Sequence, residues 1–308
     1  MIVLVKQIVI WRHNHRHQIA AAIGQRFLFP DVYRKVVELL PKAAHGNLSY
    51  IAAWADQIKY KNEYRFTSPM HYTNPTPLID NPPSHCGFDW NPGKIDLITA
   101  IHNYTKRLDP ESDLSFWSRA EALRFLVHFI GDLHQPLHLT GKAKGGNGLH
   151  AIFEGHKTSV HYVWDSSILY KRIREFNENS TFDPNFTEDD SRFNSSDPLS
   201  GECNEDFKLS ADLPLSSPNQ LYFSSTNESS DHFSLLMNQK ISFSAACPEF
   251  WAAPINKLNC QVTLNGYDPN LDLSIGEYYE RIVNWKVIEK LLAISGFRIA
   301  AILNTILK

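Results

Sequence analysis

The chain has 308 residues, 43% of them hydrophobic, with 30 Lys and Arg against 33 Asp and Glu, for a formal net charge of -3. That length supports a sizeable core in one large domain or two smaller ones, and the charge balance excludes a general basic field that would hold a long polyanion by counterion release. No stretch approaches the ~20 apolar residues that span a bilayer, so no membrane is expected as a partner.

In chain order, residues 1–10 (MIVLVKQIVI) are apolar but short, interrupted by Lys6, and lack small residues before a cleavage point. A truncated secretory signal and a buried N-terminal strand both fit them. Helical periodicity then runs from residue 17 to about 176, with apolar residues three and four apart in 19–28, 32–40, 48–58 and 95–108. Residues 115–135 are apolar on nearly every side, through Leu123, Phe125, Leu126, Val127, Phe129, Ile130 and Leu133, so this helix belongs in the middle of a bundle. Pro136 ends it, and Lys144-Gly145-Gly146-Asn147-Gly148 forms a loop before a β-like run at 150–153. Residues 177–238 shift to Ser, Asn, Asp and Pro and read as a solvated, loop-rich insertion. Helical pattern returns in 241–258 and 275–307. The expectation is an all-α, single-domain helical bundle over residues 11–308 with one polar excursion.

Two features bear on compartment. Cys86, Cys203, Cys247 and Cys260 include no CxxC pair, and two disulfides are the economical reading, with three connectivities open. Asn-x-Ser/Thr sequons stand at Asn47, Asn103, Asn179, Asn185, Asn194 and Asn227, acceptors for glycans on a secreted chain.

The chemistry concentrates in residues 125–138, FLVHFIGDLHQPLH. His128 and Asp132 are four apart and so share one face of an otherwise apolar helix. Burying isolated ionisable groups there is expensive, and a metal is one thing that compensates them. His138 follows just past the helix stop. A second pair at the same spacing, His161 and Asp165, lies between large apolar residues. Upstream, Asp56 sits at the polar end of an apolar helix and His71 follows in SPMHY. These imidazoles and carboxylates, without cysteine, form a ligand set that suits zinc in a catalytic site. His134, His150 and His156 are expected to be surface groups or partners of the ligands.

The segments WADQIK, SPMHYTNP, NPPSHC, AEALRFLVHFIGDLHQPLH, GGN and HYVWD occur in the order found in the secreted single-strand-specific zinc nucleases of moulds and plants, the nuclease S-one/P-one family. The chain resembles that family densely over residues 11–169 and more loosely beyond. The resemblance implies a helical bundle of the trinuclear-zinc phospholipase C and nuclease type. One Zn2+ would be held by Asp56, His71, His128 and Asp132, with Asp132 bridging to a neighbour, and another by His138, His161 and Asp165. The third would use His17 and the N-terminal Trp, which in the family ligates through its amine and carbonyl. Here that segment reads Trp11-Arg12-His13-Asn14-His15-Arg16-His17, one residue longer than the family pattern and without its Gly, and Trp11 offers an amine only if the preceding bond is cleaved.

The resemblance further implies that metal-activated hydroxide attacks phosphorus, with Asp56 orienting the nucleophile and Lys59 beside the charged transition state. Tyr72 would stack on a base, Asn74 replaces a family Asp that hydrogen-bonds the base, and Asn147 matches another substrate contact. The expected substrates are single-stranded DNA or RNA and 3′-nucleotides, cut to 5′-phosphate products by a secreted, monomeric enzyme. Cys86 and Cys260 stand where family members form a disulfide, which would leave Cys203 and Cys247 to pair. The rival readings are a zinc phospholipase C and a secreted zinc-binding glycoprotein with impaired catalysis.

Overall fold

Nine consecutive residues of one helix, Phe125 through Leu133, are buried, and the rest of the molecule is arranged around them. The computed structural model describes residues 15–75, 90, 94–178 and 246–308. Among these the protein is all-α apart from one hairpin. Its helices are α1 (His15–Arg26), α2 (Pro30–Leu39), α3 (Trp54–Ile58), α4 (Leu97–Leu108), α5 (Phe116–Leu133), α6 (Ile168–Glu178), α7 (Pro248–Leu258), α8 (Gly276–Asn284) and α9 (Val287–Ile306).

Helix α5 starts at Ser115, whose hydroxyl accepts the Ser118 N–H at 3.2 Å, a cap for one of the donors left open at a helix start. It stops at Leu133, three residues before Pro136, which cannot continue the ladder. Helix α1 crosses α9 at a pair of glycines. A Cβ on Gly296 would lie 2.5 Å from Ile23 Cγ2, and one on Gly24 would lie 3.0 Å from the Gly296 carbonyl oxygen, so the close approach demands both. The buried faces of α1, α2, α4, α5, α7, α8 and α9 contribute to one contiguous hydrophobic cluster.

Several expected elements are more broken than their periodicity implied. Residues 48–58 form a 3-10 turn, Leu48–Tyr50, followed by the short α3, with the Asn47 side chain accepting the Ser49 N–H at 2.9 Å. Residues 275–307 divide into α8 and α9 where Lys286 takes a left-handed φ of 51°. Apolar spacing reports which face is buried, and it is blind to a turn that interrupts the helix without rotating that face. The run at 150–153 is strand β1 (His150–Phe153), paired antiparallel with β2 (His156–Ser159). Glu154 and Gly155, with φ of 50° and 75°, make the two-residue turn between them. Strand β2 is polar and escaped notice. Beyond it the chain passes through a helical turn, Val160–Tyr162, and a π-helical turn, Val163–Ser167, before α6. Residues 1–14 and 179–245 lie outside the described residues, and with them Trp11, almost all of the insertion and the first five residues of the 241–258 pattern. No helix among the described residues is long and apolar enough to cross a membrane.

Candidate metal centre

Asp56 on α3, His71 at the end of a 3-10 stretch (Asn62–His71), and His128 and Asp132 on α5 converge from three separate segments. His71 Nδ1 lies 2.9 Å from Asp132 Oδ2, His128 Nε2 3.1 Å from the same oxygen, and the two nitrogens 3.2 Å from each other. Asp56 Oδ1 is 3.6 Å from both nitrogens. Donors about 2.0–2.1 Å from a tetrahedral zinc are about 3.3 Å apart, so these separations bracket the edges of such a site. The backbone selects the ligating face of His128, because its Nδ1–H donates to the Ala52 carbonyl at 2.7 Å and leaves Nε2 for the centre.

The second group stands on the other side of Asp132. His138 lies in a 3-10 turn (Pro136–Leu139), His161 in the turn after β2, and Asp165 in the π-helical turn that follows. His161 Nε2 is 3.3 Å from Asp165 Oδ2, and His138 Nε2 is 3.6 Å from Asp165 Oδ1, with the two rings stacked at an interplanar angle of 6°. The Gly145 carbonyl accepts from His161 Nδ1 at 2.7 Å, again orienting the ring from behind. Asn256 and Asn259 at the end of α7 donate to the carbonyls of Leu139 and Pro136, both at 2.7 Å, and so hold the turn that carries His138. A π turn inserts one residue into the helical repeat, a device common where a side chain must be re-aimed.

His17 forms a third group with Asp132 and His128. Its Nε2 is 3.5 Å from Asp132 Oδ1, while its ring stacks on His128 at 3.9 Å. Asp132 therefore presents Oδ2 to His71 and His128, and Oδ1 to His17 and to His138 at 3.2 Å. Gly131 makes this possible: a Cβ there would lie 2.3 Å from His17 Nδ1. Sequence reading passed over Gly131, although a glycine inside an apolar central helix, next to the candidate ligand Asp132, is a visible signal of close approach. It also passed over Arg16, whose half-buried guanidinium donates to the His134 carbonyl at 2.9 Å and reaches Asp165 Oδ1 at 3.5 Å.

The pocket attracts cations strongly. Burial alone would drive His128 and His138 toward neutrality, yet Asp132 and Asp56 raise the first to about 10, and Asp132 with Asp165 raise the second to about 9. Burial likewise opposes ionisation of Asp132 and Asp165, but the facing imidazoles hold both well below the usual carboxylate range. His17 goes the other way, lowered to about 3 by burial and by the charge on His128. The buried Nδ1 of His138 lies 3.2 Å from Asp132 Oδ1, on the side of that carboxylate away from His71 and His128. The residues fit divalent metal of the imidazole and carboxylate kind.

Around the groups, the Lys59 ammonium sits 2.7 Å from Asp56 Oδ1, and although burial works against its charge, Asp56 raises its pKa. Tyr72 and Asn74 are exposed on the segment after His71. The Asn147 amide donates to the Lys144 carbonyl at 2.9 Å, closing its own loop. His134 is buried, donates from Nδ1 to the Ile130 carbonyl at 2.6 Å and accepts from Arg298 at 2.8 Å through Nε2, so neither nitrogen is left for a metal. His150 and His156 are exposed strand residues. Cys247 and Cys260 are both disulfide-bonded. Cys86, Cys203, Asn179, Asn185, Asn194 and Asn227 lie outside the described residues, while Asn47 is exposed, capping its 3-10 turn, and Asn103 is exposed on α4.

Within the helical bundle, three adjoining imidazole and carboxylate groups, with one carboxylate reaching all of them, could hold more than one metal ion, the kind of site used by metal-dependent hydrolases. Residues 13–308 match the family model of the S1/P1 nucleases, and the chain belongs to that family: it is a hydrolase acting on phosphodiester bonds, a zinc-dependent, single-strand-specific endonuclease. Among its relatives are nuclease S1 of Aspergillus oryzae, 30% identical over 95% of this chain and 91% of the relative. Endonuclease 4 of Arabidopsis thaliana is 29% identical over 94% and 87%. Nuclease P1 of Penicillium citrinum is 36% identical over 51% and 58%.

Proposed function

We propose that this nuclease works with three zinc ions and that it cuts single-stranded DNA and RNA, and removes phosphate from 3′-nucleotides, through a single centre leaving 5′-phosphate products on polymers. The observation that carries this reading is the two-sided carboxylate of Asp132, with imidazoles spaced for tetrahedral coordination on one oxygen and two further groups on the other. Asp56, His71, His128 and Asp132 would hold one ion, His138, His161 and Asp165 a second, and His17 with Asp132 and Trp11 a third. Bound zinc supplies a water acidic enough to attack phosphorus at neutral pH and positive charge for the leaving oxygen.

The protein's own groups orient and neutralise. Asp56 directs the nucleophile, and Lys59, already paired with it, places a fixed ammonium beside the phosphate. Tyr72 stacks on a base, a contact worth ~1–3 kcal/mol and tolerant of sequence, while Asn74 and Asn147 supply hydrogen bonds. A duplex withholds its base faces from such a pocket, so single strands are preferred. Residues 11–308 act as one domain, secreted, glycosylated at its sequons, monomeric, and closed by Cys86–Cys260 and Cys203–Cys247 disulfides.

Metal counting on purified protein together with paired incubations tests the reading. Three zinc ions per chain and 5′-mononucleotides from denatured DNA are expected. Phosphocholine released from phosphatidylcholine without cleavage of DNA would make the protein a phospholipase C, and zinc retained with no turnover would make it a binding glycoprotein.

A further inference from the structure

The segment after His71 is held more firmly than an exposed loop requires. Tyr72 is extended, with φ -151° and ψ 165°, and along 72–74 the exposed Tyr72 and Asn74 alternate with a buried Thr73. Three hydrogen bonds fix it. The Tyr72 carbonyl accepts the Leu97 N–H at 3.0 Å, the Thr73 N–H donates to the His138 carbonyl at 2.8 Å, and the Thr73 hydroxyl donates to Asp96 Oδ2 at 2.6 Å. Asp96 is itself buried and loaded on both oxygens: Oδ1 accepts the Thr99 N–H at 2.9 Å as the cap of α4, and Oδ2 also takes the Trp90 indole N–H at 3.1 Å. A helix cap needs only one carboxylate oxygen. The second is committed to the loop.

We propose that Asp96 and Thr73 form a positioning device that sets base selectivity, holding Tyr72 and Asn74 as a rigid edge in register with the turn that bears His138. This rests on the reading that Tyr72 and Asn74 receive the base. A short hydrogen bond from a hydroxyl to a carboxylate is charge-assisted and among the stronger kinds. Because it forms before substrate arrives, ordering the edge costs nothing at the moment of binding. Discrimination by a hydrogen-bonding site comes from groups left unpaired by the wrong partner, and an edge free to shift would re-pair with any base and lose that penalty.

The test compares Thr73→Val, which removes the hydroxyl at nearly constant shape, with Thr73→Ser, which keeps it. KM and kcat are measured on four short single-stranded homopolymers, alongside zinc content and thermal melting. Thr73→Val is expected to raise KM on the preferred base about tenfold, narrow the spread among the four, and leave kcat within about twofold and zinc content unchanged, whereas Thr73→Ser restores the spread. Asp96→Asn provides a second variant and should narrow the spread in the same sense. A Thr73→Val enzyme with the original spread of KM, or a Thr73→Ser enzyme as altered as Thr73→Val, overturns the proposal. Tyr72→Ala and Asn74→Ala separate the two levels. If neither changes KM on any homopolymer, the base-site reading itself fails; if both do while Thr73→Val does not, only the positioning role fails.

Discussion

The two halves of the candidate metal centre are built by opposite means. The half around His128 is sunk in the core: His128 is 0% and Asp132 2% exposed, and their partners arrive from segments more than fifty residues away in sequence. The half around His161 is half-open, with His161 at 21% and Asp165 at 36%, and its parts come from a loop, a turn after a hairpin and a π turn between residues 136 and 167. The first half should therefore be bound up with folding and the second with metal exchange and access of substrate.

The largest effect should follow from removing what the halves share. Asp132→Asn leaves His71, His128, His17 and His138 without their common anion, and activity should fall by at least ~10³-fold with loss of more than one zinc per chain, read by assay and elemental analysis. A variant that retains full zinc would separate the two halves entirely.

Next comes a contrast between two imidazoles. His128→Ala opens a void in the core and strips Asp132 of its main counter-charge, so it should destabilise the fold by about 3–5 kcal/mol in denaturant titration. His161→Ala should cost less than about 1 kcal/mol yet lower zinc content by one ion and turnover by ~10²-fold. Equal stability losses would contradict the division between a buried and an open half.

Gly131→Ala sharpens the comparison at the His17 group. The added methyl would meet the His17 ring at 2.3 Å, so the ring must move and a loss of about 1–3 kcal/mol is expected, with one zinc released and the His138 group still occupied.

The smallest effect is in protons. With His128 raised to about 10 and His138 to about 9, zinc binding at pH 7 should expel about two protons, seen as a dependence of the calorimetric heat on buffer ionisation. The sign for the chelated protein follows from the same shifts. The raised pKa values of His128 and His138 contribute stability fully present below ~6.5 and lost as pH rises toward about 9–10. The lowered values of Asp132 and Asp165 contribute stability present above ~3.8 and lost in acid. The lowered values of His17 and His71 add stability that is present above ~6.5 and lost as pH falls below it, so melting of the chelated protein should peak near ~6.5, while zinc affinity climbs with pH.

Much of this was legible in one dimension. The i,i+4 pairs His128/Asp132 and His161/Asp165 declare a shared face because helical geometry is local, and apolar neighbours declare that the face is buried. The ordered motifs, at specific spacings, declared the family, and the all-α bundle followed from periodicity. Other features depend on distances that no spacing encodes. Which oxygen of Asp132 faces which group, the Ala52 and Gly145 carbonyls that orient the His128 and His161 rings, the collision that forbids a side chain at Gly131, and the bond from Thr73 to Asp96 all join segments brought together only by packing. Local sequence carries torsional and hydrophobic preference over a few turns, whereas coordination geometry is set to fractions of an ångström by contacts between residues far apart in the chain, and those exist only once the core has closed.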